Sequence, residues 1–343
     1  MNSRFQAALK GQVTKTPPIW MMRQAGRYHA HYQNLRKSNS FVELCKKPKL
    51  AAEVALGPVM DFDFDLAILF SDLLFPLEAL GMGLTYDNGG PELTKGLDQK
   101  LISQFRSLEK ALPFLQFQKE AMQETRKVLP STKSLIGFVG GPWTLFVYAI
   151  EGSHKGNLVE VKKTAEVLFP LFCEHMVPLL RENIRLQLEG GAEAVMILDT
   201  AAGELSPYEF RDWTAEPLLQ MLSEFSGQVG YYAKGSTSSI FDTLRQLNQG
   251  RAKFGIGVDH RFEVAPYLQE QEFQFIQGNF DQILLHLDPK SFEKRLREFL
   301  KPMLAMTPAE RTGWVCGVGH GLIPTTPEEN VRAFVRIVRE VFA

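Results

Sequence analysis

Residues 194–200 read AVMILDT, five apolar residues that stop at a carboxylate and a hydroxyl. The run is apolar on both faces rather than alternating, as in a strand of a parallel sheet covered on both sides. The same design recurs along the chain: LAILF ends at Phe70, LIGFV at Val139, VGYYA at Ala233, FGIGV at Val258, FQFIQ at Gln277 and WVCGV at Val318. Between these runs lie stretches with 3.6-residue periodicity, among them residues 40–60, 168–190 and 326–343, which read as helices. A repeated βα pattern makes the fold α/β. Seven clear strands and a weaker eighth within GLTYDNGG (83–90) predict a (β/α)8 TIM barrel in preference to an open doubly wound sheet. No Pro/Gly/Ser-rich linker interrupts the series, so residues 1–343 read as a single barrel domain with an N-terminal extension.

Composition narrows the class of protein. With 45% hydrophobic and 22% charged residues and a formal net charge of −1, the chain is an ordinary globular protein with a large core. That charge offers nothing to nucleic acid. Cys45, Cys173 and Cys316 are far apart, odd in number and without paired metal spacing, which argues against a disulfide framework and for a reducing compartment. No run has signal-peptide length, and none approaches the roughly 20 uncharged apolar residues of a membrane span. A soluble, cytoplasmic protein is expected.

In a barrel the active site lies beyond the C-terminal ends of the strands. Reading past each run gives Ser71 and Asp72, Gly140 and Gly141, Asp199 and Thr200, Lys234 and Gly235, Asp259 and His260, Gly278 and Asn279, and Gly319 and His320. Any strand end carries turn residues. Asp72 differs because apolar sequence flanks it on both sides, where an unpaired charge is costly. It either caps the next helix or accepts N–H groups of a ligand. The stretch PPIWMMRQAGRYHAHYQNLR (17–36) poses a similar choice. Arg23, Arg27 and Arg36 are either solvated, or form a clamp whose planar forks suit a polycarboxylate, with Gly26 letting the ligand come close.

Other chemistries find little support. The seven histidines include no H-E-x-x-H, there is no G-x-S-x-G, and GFVGGP and GVGHG both miss the dinucleotide fingerprint. Lys234 stands where a Schiff base could form, but no second sign of pyridoxal chemistry accompanies it. A structural or anion-binding lysine is the simpler reading.

The motifs WMMRQAGRY (20–28), ILFSDLLFPLEALGM (68–82), GFVGGPWTLFVYAIEG (137–152), ILDTAAGELSP (197–207), IQGNFD (276–281) and GVGHGLIPTTPEENV (317–331) resemble the uroporphyrinogen decarboxylase family, in order and over nearly the full length. The resemblance implies a (β/α)8 barrel, usually a homodimer with facing clefts, using neither metal nor organic cofactor. It implies a lyase of haem biosynthesis that converts the four acetates of uroporphyrinogen III to methyl groups. Carried over position by position, Arg23, Gln24, Ala25, Gly26 and Arg27 match the substrate-binding loop and Arg36 a further cleft arginine. Asp72 matches the central aspartate, Tyr148 the cleft tyrosine, Thr200 a hydroxyl position and His320 the C-terminal histidine. Asp72 and Arg23 are the catalytic candidates, with Tyr148 and His320 as chemically easier proton donors than a guanidinium. His260 replaces the tryptophan common in the family, and Gln282 replaces a proline. A zinc-dependent corrinoid methyltransferase of the same superfamily, which resembles H-x-C plus a distant cysteine, is the alternative. At the corresponding strand end this chain has YAKGS. A non-catalytic tetrapyrrole binder is a third reading.

Overall fold

Seven strands lie side by side in one all-parallel sheet in the computed structural model, which describes residues 1–86, 90–154, 157–235 and 237–343. They are β1 (Leu66–Ile68), β4 (Ser134–Gly140), β5 (Ala194–Leu198), β6 (Val229–Tyr232), β7 (Gly255–Gly257), β8 (Ile276–Phe280) and β9 (Trp314–Val318), neighbours in chain order. Two further strands, β2 (Leu84–Thr85) and β3 (Glu92–Leu93), pair antiparallel with each other, apart from the sheet.

The eighth place in the ring belongs to a different segment from the one expected. Within GLTYDNGG only Leu84–Thr85 is extended, and it pairs with Glu92–Leu93, while residues 87–89 lie outside the described residues. The gap between β9 and β1 is bridged by residues 18–20. Cys316 N–H donates to the Pro18 carbonyl at 2.9 Å, Trp20 N–H to Cys316 at 3.1 Å, and Asp65 N–H to Ile19 at 3.1 Å. Two prolines, which lack N–H groups, make this stretch read as an approach segment, yet proline is tolerated where a strand begins. Gly317 permits the contact, since a Cβ there would collide with the Trp20 carbonyl. The N-terminal extension therefore ends before Pro18.

Two other boundaries move. The run FQFIQ is displaced from β8, so Gly278 and Asn279 lie within the strand and Asp281 follows its end. Residues 40–60 form two helices, Phe41–Lys46 and Pro48–Phe62, because Lys47 precedes a proline and is held extended. Residues 168–190 belong to a longer helix, Val159–Glu189, and the last helix is Glu328–Val341.

Trp20, Met22, Leu66, Ile68, Ile136, Ala194, Met196, Tyr232, Phe275 and Val315 pack as one buried cluster inside the ring. Phe5 and Ala8 of the helix Ser3–Leu9 join it, so that helix plugs the N-terminal end. Burying a side chain like Phe5 contributes about 1.5–3 kcal/mol. Asp65, at that same end, is buried and accepts from Asn2 Nδ2 (2.8 Å), Arg4 Nη1 (3.1 Å), Ile19 N–H (2.7 Å) and Arg339 Nη2 (2.7 Å). One carboxylate ties the plug, the closing segment, β1 and the last helix together. The opposite end is left for chemistry.

Candidate active site

The loop that leaves the closing segment is built before it is functional. Gln24 is wholly buried: its Nε2 donates to the Leu66 carbonyl at 2.8 Å, and its own carbonyl accepts the Tyr28 hydroxyl at 2.9 Å. Leu322 N–H donates to the Met22 carbonyl at 3.0 Å, joining the loop to the segment after β9. The Gln24 side chain thus anchors the loop and has little left to offer a ligand, while Ala25 and Gly26 remain half-exposed. Arg23 adopts φ of 61°, a left-handed conformation that costs a side-chain-bearing residue about 1–2 kcal/mol. Its side chain lies against Gly321, where a Cβ would collide with it.

Arg23 and Arg27 are exposed in the free protein, as is Arg36 at the end of helix Ala30–Arg36. Among the described residues, Arg23, Arg27 and Arg36 take part in no ion pair, unlike Arg4 and Arg339, which share Asp65. Arg27 and Arg36 both act on Tyr32, while the charges of Arg36 and Asp72 both reach Cys45. Arg36 also donates Nη1 to the Asn39 carbonyl, so the three guanidinium groups are exposed and none is held in an ion pair.

Asp72 is partly buried just past β1. Burial pushes its carboxyl upward, against which work the Leu74 N–H, the Tyr86 hydroxyl and the Arg23 charge. Leu74 N–H donates to Oδ1 at 2.8 Å, so Asp72 also braces the turn into helix Phe75–Leu80. The capping and ligand readings are compatible because that bond leaves acceptor capacity free. Tyr148 is half-buried on helix Pro142–Glu151, and burial and the Asp72 charge raise its phenol while Arg23 opposes them. Arg23, Asp72 and Tyr148 are thus mutual neighbours.

Asp199, just past β5, is a structural carboxylate. It is fully buried, with its carboxyl pushed up to about 6 by desolvation, and accepts Thr144 N–H at 2.7 Å and the Tyr231 hydroxyl at 3.3 Å. Thr144 Oγ1 in turn accepts Ala201 N–H at 3.0 Å. The helix that carries Tyr148 is thereby fastened to the turn Thr200–Glu204, which begins with the half-buried Thr200. Gly141 makes room, since a Cβ there would collide with Asp199.

His320 follows β9 and stacks on Tyr232 with 9° between the rings. Burial first, then the charges of Arg23 and Lys234, lower its pKa to about 4. It is neutral at physiological pH and is no ready proton donor. Of the other strand-end residues, Ser71 accepts from Gln118, Asp259 pairs with Arg261, and Asn279 donates to the Asp259 and Phe262 carbonyls. All three are committed to local structure. Among the described residues no three His, Cys, Asp or Glu side chains gather as a metal-binding group, and no helix is long and apolar enough to cross a membrane.

The family described as Uroporphyrinogen decarboxylase (URO-D) matches residues 1–341. The chain belongs to the uroporphyrinogen decarboxylase family. A uroporphyrinogen decarboxylase of Synechococcus sp. is 33% identical over 99% of this chain and 98% of its own length. One from Thermus thermophilus is 32% identical over 100% and 99%. Among solved structures, a methyltransferase from Methanosarcina mazei superposes with a TM-score of 0.74 at 20% identity, covering 100% of this chain and 99% of the other. At that identity the likeness is one of fold, and it joins the parallel ring described above to the barrel architecture expected for this family.

Proposed function

We infer that this protein is a uroporphyrinogen decarboxylase, removing CO2 from the four acetate side chains of uroporphyrinogen III to give coproporphyrinogen III. Family membership across residues 1–341 carries the reading, and the arrangement of charge around Asp72 supports it. A flexible ring of four pyrroles presents eight carboxylates at its rim and four N–H donors at its centre. Arg23, Arg27 and Arg36, free of internal ion pairs, suit the rim. Asp72 suits the centre.

The reaction needs somewhere for the C–C bonding electrons to go. Protonating a pyrrole carbon beside the acetate makes the ring a cation, and the bond to CO2 breaks toward it. The exocyclic methylene that results takes a proton, the ring carbon returns its own, and the net change replaces CO2 by H. Asp72, accepting the N–H groups, stabilises the cation electrostatically, an effect worth far more in a partly dry site than in water. Arg23 holds the reacting carboxylate and is assigned the proton transfer, with Tyr148 beside it. A guanidinium is a weak acid, so the basic carbon of an electron-rich pyrrole is what makes that step feasible. Tyr148, Thr200 and His320 complete the walls, and neutral His320 acts as a hydrogen-bonding group. Gln24, Ala25 and Gly26 shape the loop that the substrate meets.

The reading is of a cytoplasmic homodimer with facing clefts, consistent with three buried free cysteines. Its test is incubation with freshly reduced uroporphyrinogen III, followed by oxidation and separation of the porphyrins by carboxylate number. Products with seven, six, five and four carboxylates are expected, with turnover retained after dialysis against a chelator. An unchanged octacarboxylate would refute the activity, and turnover that returns only on adding zinc would favour the methyltransferase alternative.

A further inference from the structure

The carboxylate of Asp72 has a further neighbour in Tyr86. Tyr86 follows β2, and its ring packs against Phe41 and Phe75 with centroids 5.0 and 6.4 Å away. Phe75 opens the helix just after Asp72, so this packing sets Tyr86 beside the turn that Asp72 braces, and the phenol and the carboxylate act on each other. The Tyr86 hydroxyl is buried and, among the described residues, closes no hydrogen bond of ordinary geometry. Buried hydroxyls are rarely left unpaired, and the acceptor that acts on this one is the Asp72 carboxylate.

The other groups around Asp72 come from three elements. Arg23 lies on the loop after the closing segment, Tyr148 on helix Pro142–Glu151, and Cys45 on helix Phe41–Lys46. Burial and the Asp72 charge keep the Cys45 thiol neutral, and Leu74 N–H holds one carboxylate oxygen. The charge of Glu78 also reaches Tyr86. Lys46, over the Phe75 ring, and Arg36 reach Cys45, but Lys46 is paired with Glu78, and the positive charge that acts on Asp72 is the exposed Arg23. Tyr86 is the donor enclosed with the carboxylate.

We propose that Tyr86 is a positioning residue for Asp72: its O–H donates to the carboxylate oxygen that Leu74 does not hold, keeping the group ionised and oriented toward substrate. Burial raises the pKa of Asp72, and the Tyr86 hydroxyl is among the groups that counter it. Burial and the Asp72 charge together push the Tyr86 phenol far above its usual 10.0, so it retains its proton throughout the working range and is always a donor. Tyr86 thus extends toward acid the range in which Asp72 can receive pyrrole N–H groups and face a cationic ring. This rests on the reading of Asp72 as the acceptor for substrate.

Tyr86→Phe removes the hydroxyl and keeps the ring on Phe41 and Phe75. In the variant the acid limb of the kcat/KM profile should move to higher pH by about one to two units, with the alkaline side retained. The substrate's own carboxylates titrate identically in both assays, so the difference belongs to the enzyme, and a packing role alone would leave the limb in place. Superimposed acid limbs overturn the proposal. Carbon-13 NMR of the Asp72 carboxyl, assigned by its loss in Asp72→Asn, gives a second readout without substrate. A higher midpoint in Tyr86→Phe supports the proposal even if the wild type fails to decarboxylate, which would count against the functional reading alone. Equal midpoints overturn it.

Discussion

Tyr232 donates its hydroxyl proton to the Gly319 carbonyl at 2.9 Å while the same oxygen sits 2.9 Å from Nδ1 of His320. A phenol has one proton, so the hydrogen between Tyr232 and His320 belongs to the imidazole. Nδ1 is the protonated nitrogen of neutral His320, and Nε2 carries the lone pair. A strand residue has chosen the tautomer of a residue in the candidate site.

The consequence is measurable. With its pKa lowered from 6.5 to about 4, His320 should stay neutral as pH falls from 8 to 5, and its ring nitrogens should show the Nδ1–H pattern by NMR. Between those two pKa values the unfolded chain binds more protons at this position than the folded one. The stability contribution is therefore present above 6.5 and lost as pH falls through about 4. A ring titrating near 6.5, or an Nε2–H pattern, would contradict the assignment.

The arginine clamp predicts a graded response. Arg27→Ala should weaken binding of both substrate and coproporphyrinogen, because a hydrogen bond to a charged group contributes about 1.5–3 kcal/mol. Arg27→Lys should recover part of the loss, since the charge returns without the bidentate fork. Exposure of Arg27 in the free protein means that folding should be unaffected. Titration at moderate salt measures both variants, and unchanged affinity in each would show that Arg27 faces solvent in the complex too.

Burial leaves a plain signature in sequence where it covers both faces of a strand, which is why AVMIL and WVCGV coincide with β5 and β9. It leaves a weaker one where the backbone does the work. The segment 18–20 closes the ring through a few hydrogen bonds, and its prolines disguise it. Register in FQFIQ is ambiguous because Phe275 packs inside the barrel while Phe273 packs outside against Phe241 and Phe254. Asp72 stands out as a charge in apolar surroundings. Tyr86 does not, because a tyrosine in a turn-rich stretch reads as surface until folding packs it against Phe75. The role of Gln24 is hidden for a related reason: its partner, the Leu66 carbonyl, is backbone and leaves no residue signature.

Asp65 offers a test of the scaffold apart from the chemistry. Asp65→Asn would take from Arg339 and Arg4 the buried carboxylate they share, and because both arginines keep partial contact with solvent the loss is that of a charge-assisted hydrogen bond, about 1.5–3 kcal/mol. Denaturant unfolding should register a loss of that order, with activity per folded molecule retained because the network lies at the end of the barrel opposite Asp72. A variant as stable as the wild type would show that the network adds no net stability.

The sharpest prediction concerns Asp72 together with substrate shape. Uroporphyrinogen has four N–H donors and saturated bridges, so it can pucker and direct its donors at one carboxylate. The oxidised porphyrin is flat, has only two N–H groups and resists protonation at carbon. It should not be decarboxylated. Asp72→Asn keeps the side-chain size but removes the charge opposite the cationic intermediate, and its amide would turn donors toward donors. Turnover should fall by about 10²-fold or more, the scale seen when one electrostatic stabiliser is lost. Asp72→Glu restores the charge but advances it by one methylene into the ring, so partial activity is expected, with porphyrins retaining five to seven carboxylates accumulating. Separation of products by carboxylate number reads all three cases. Near-normal rates for Asp72→Asn, or steady decarboxylation of the flat porphyrin, would show that another group organises the ring.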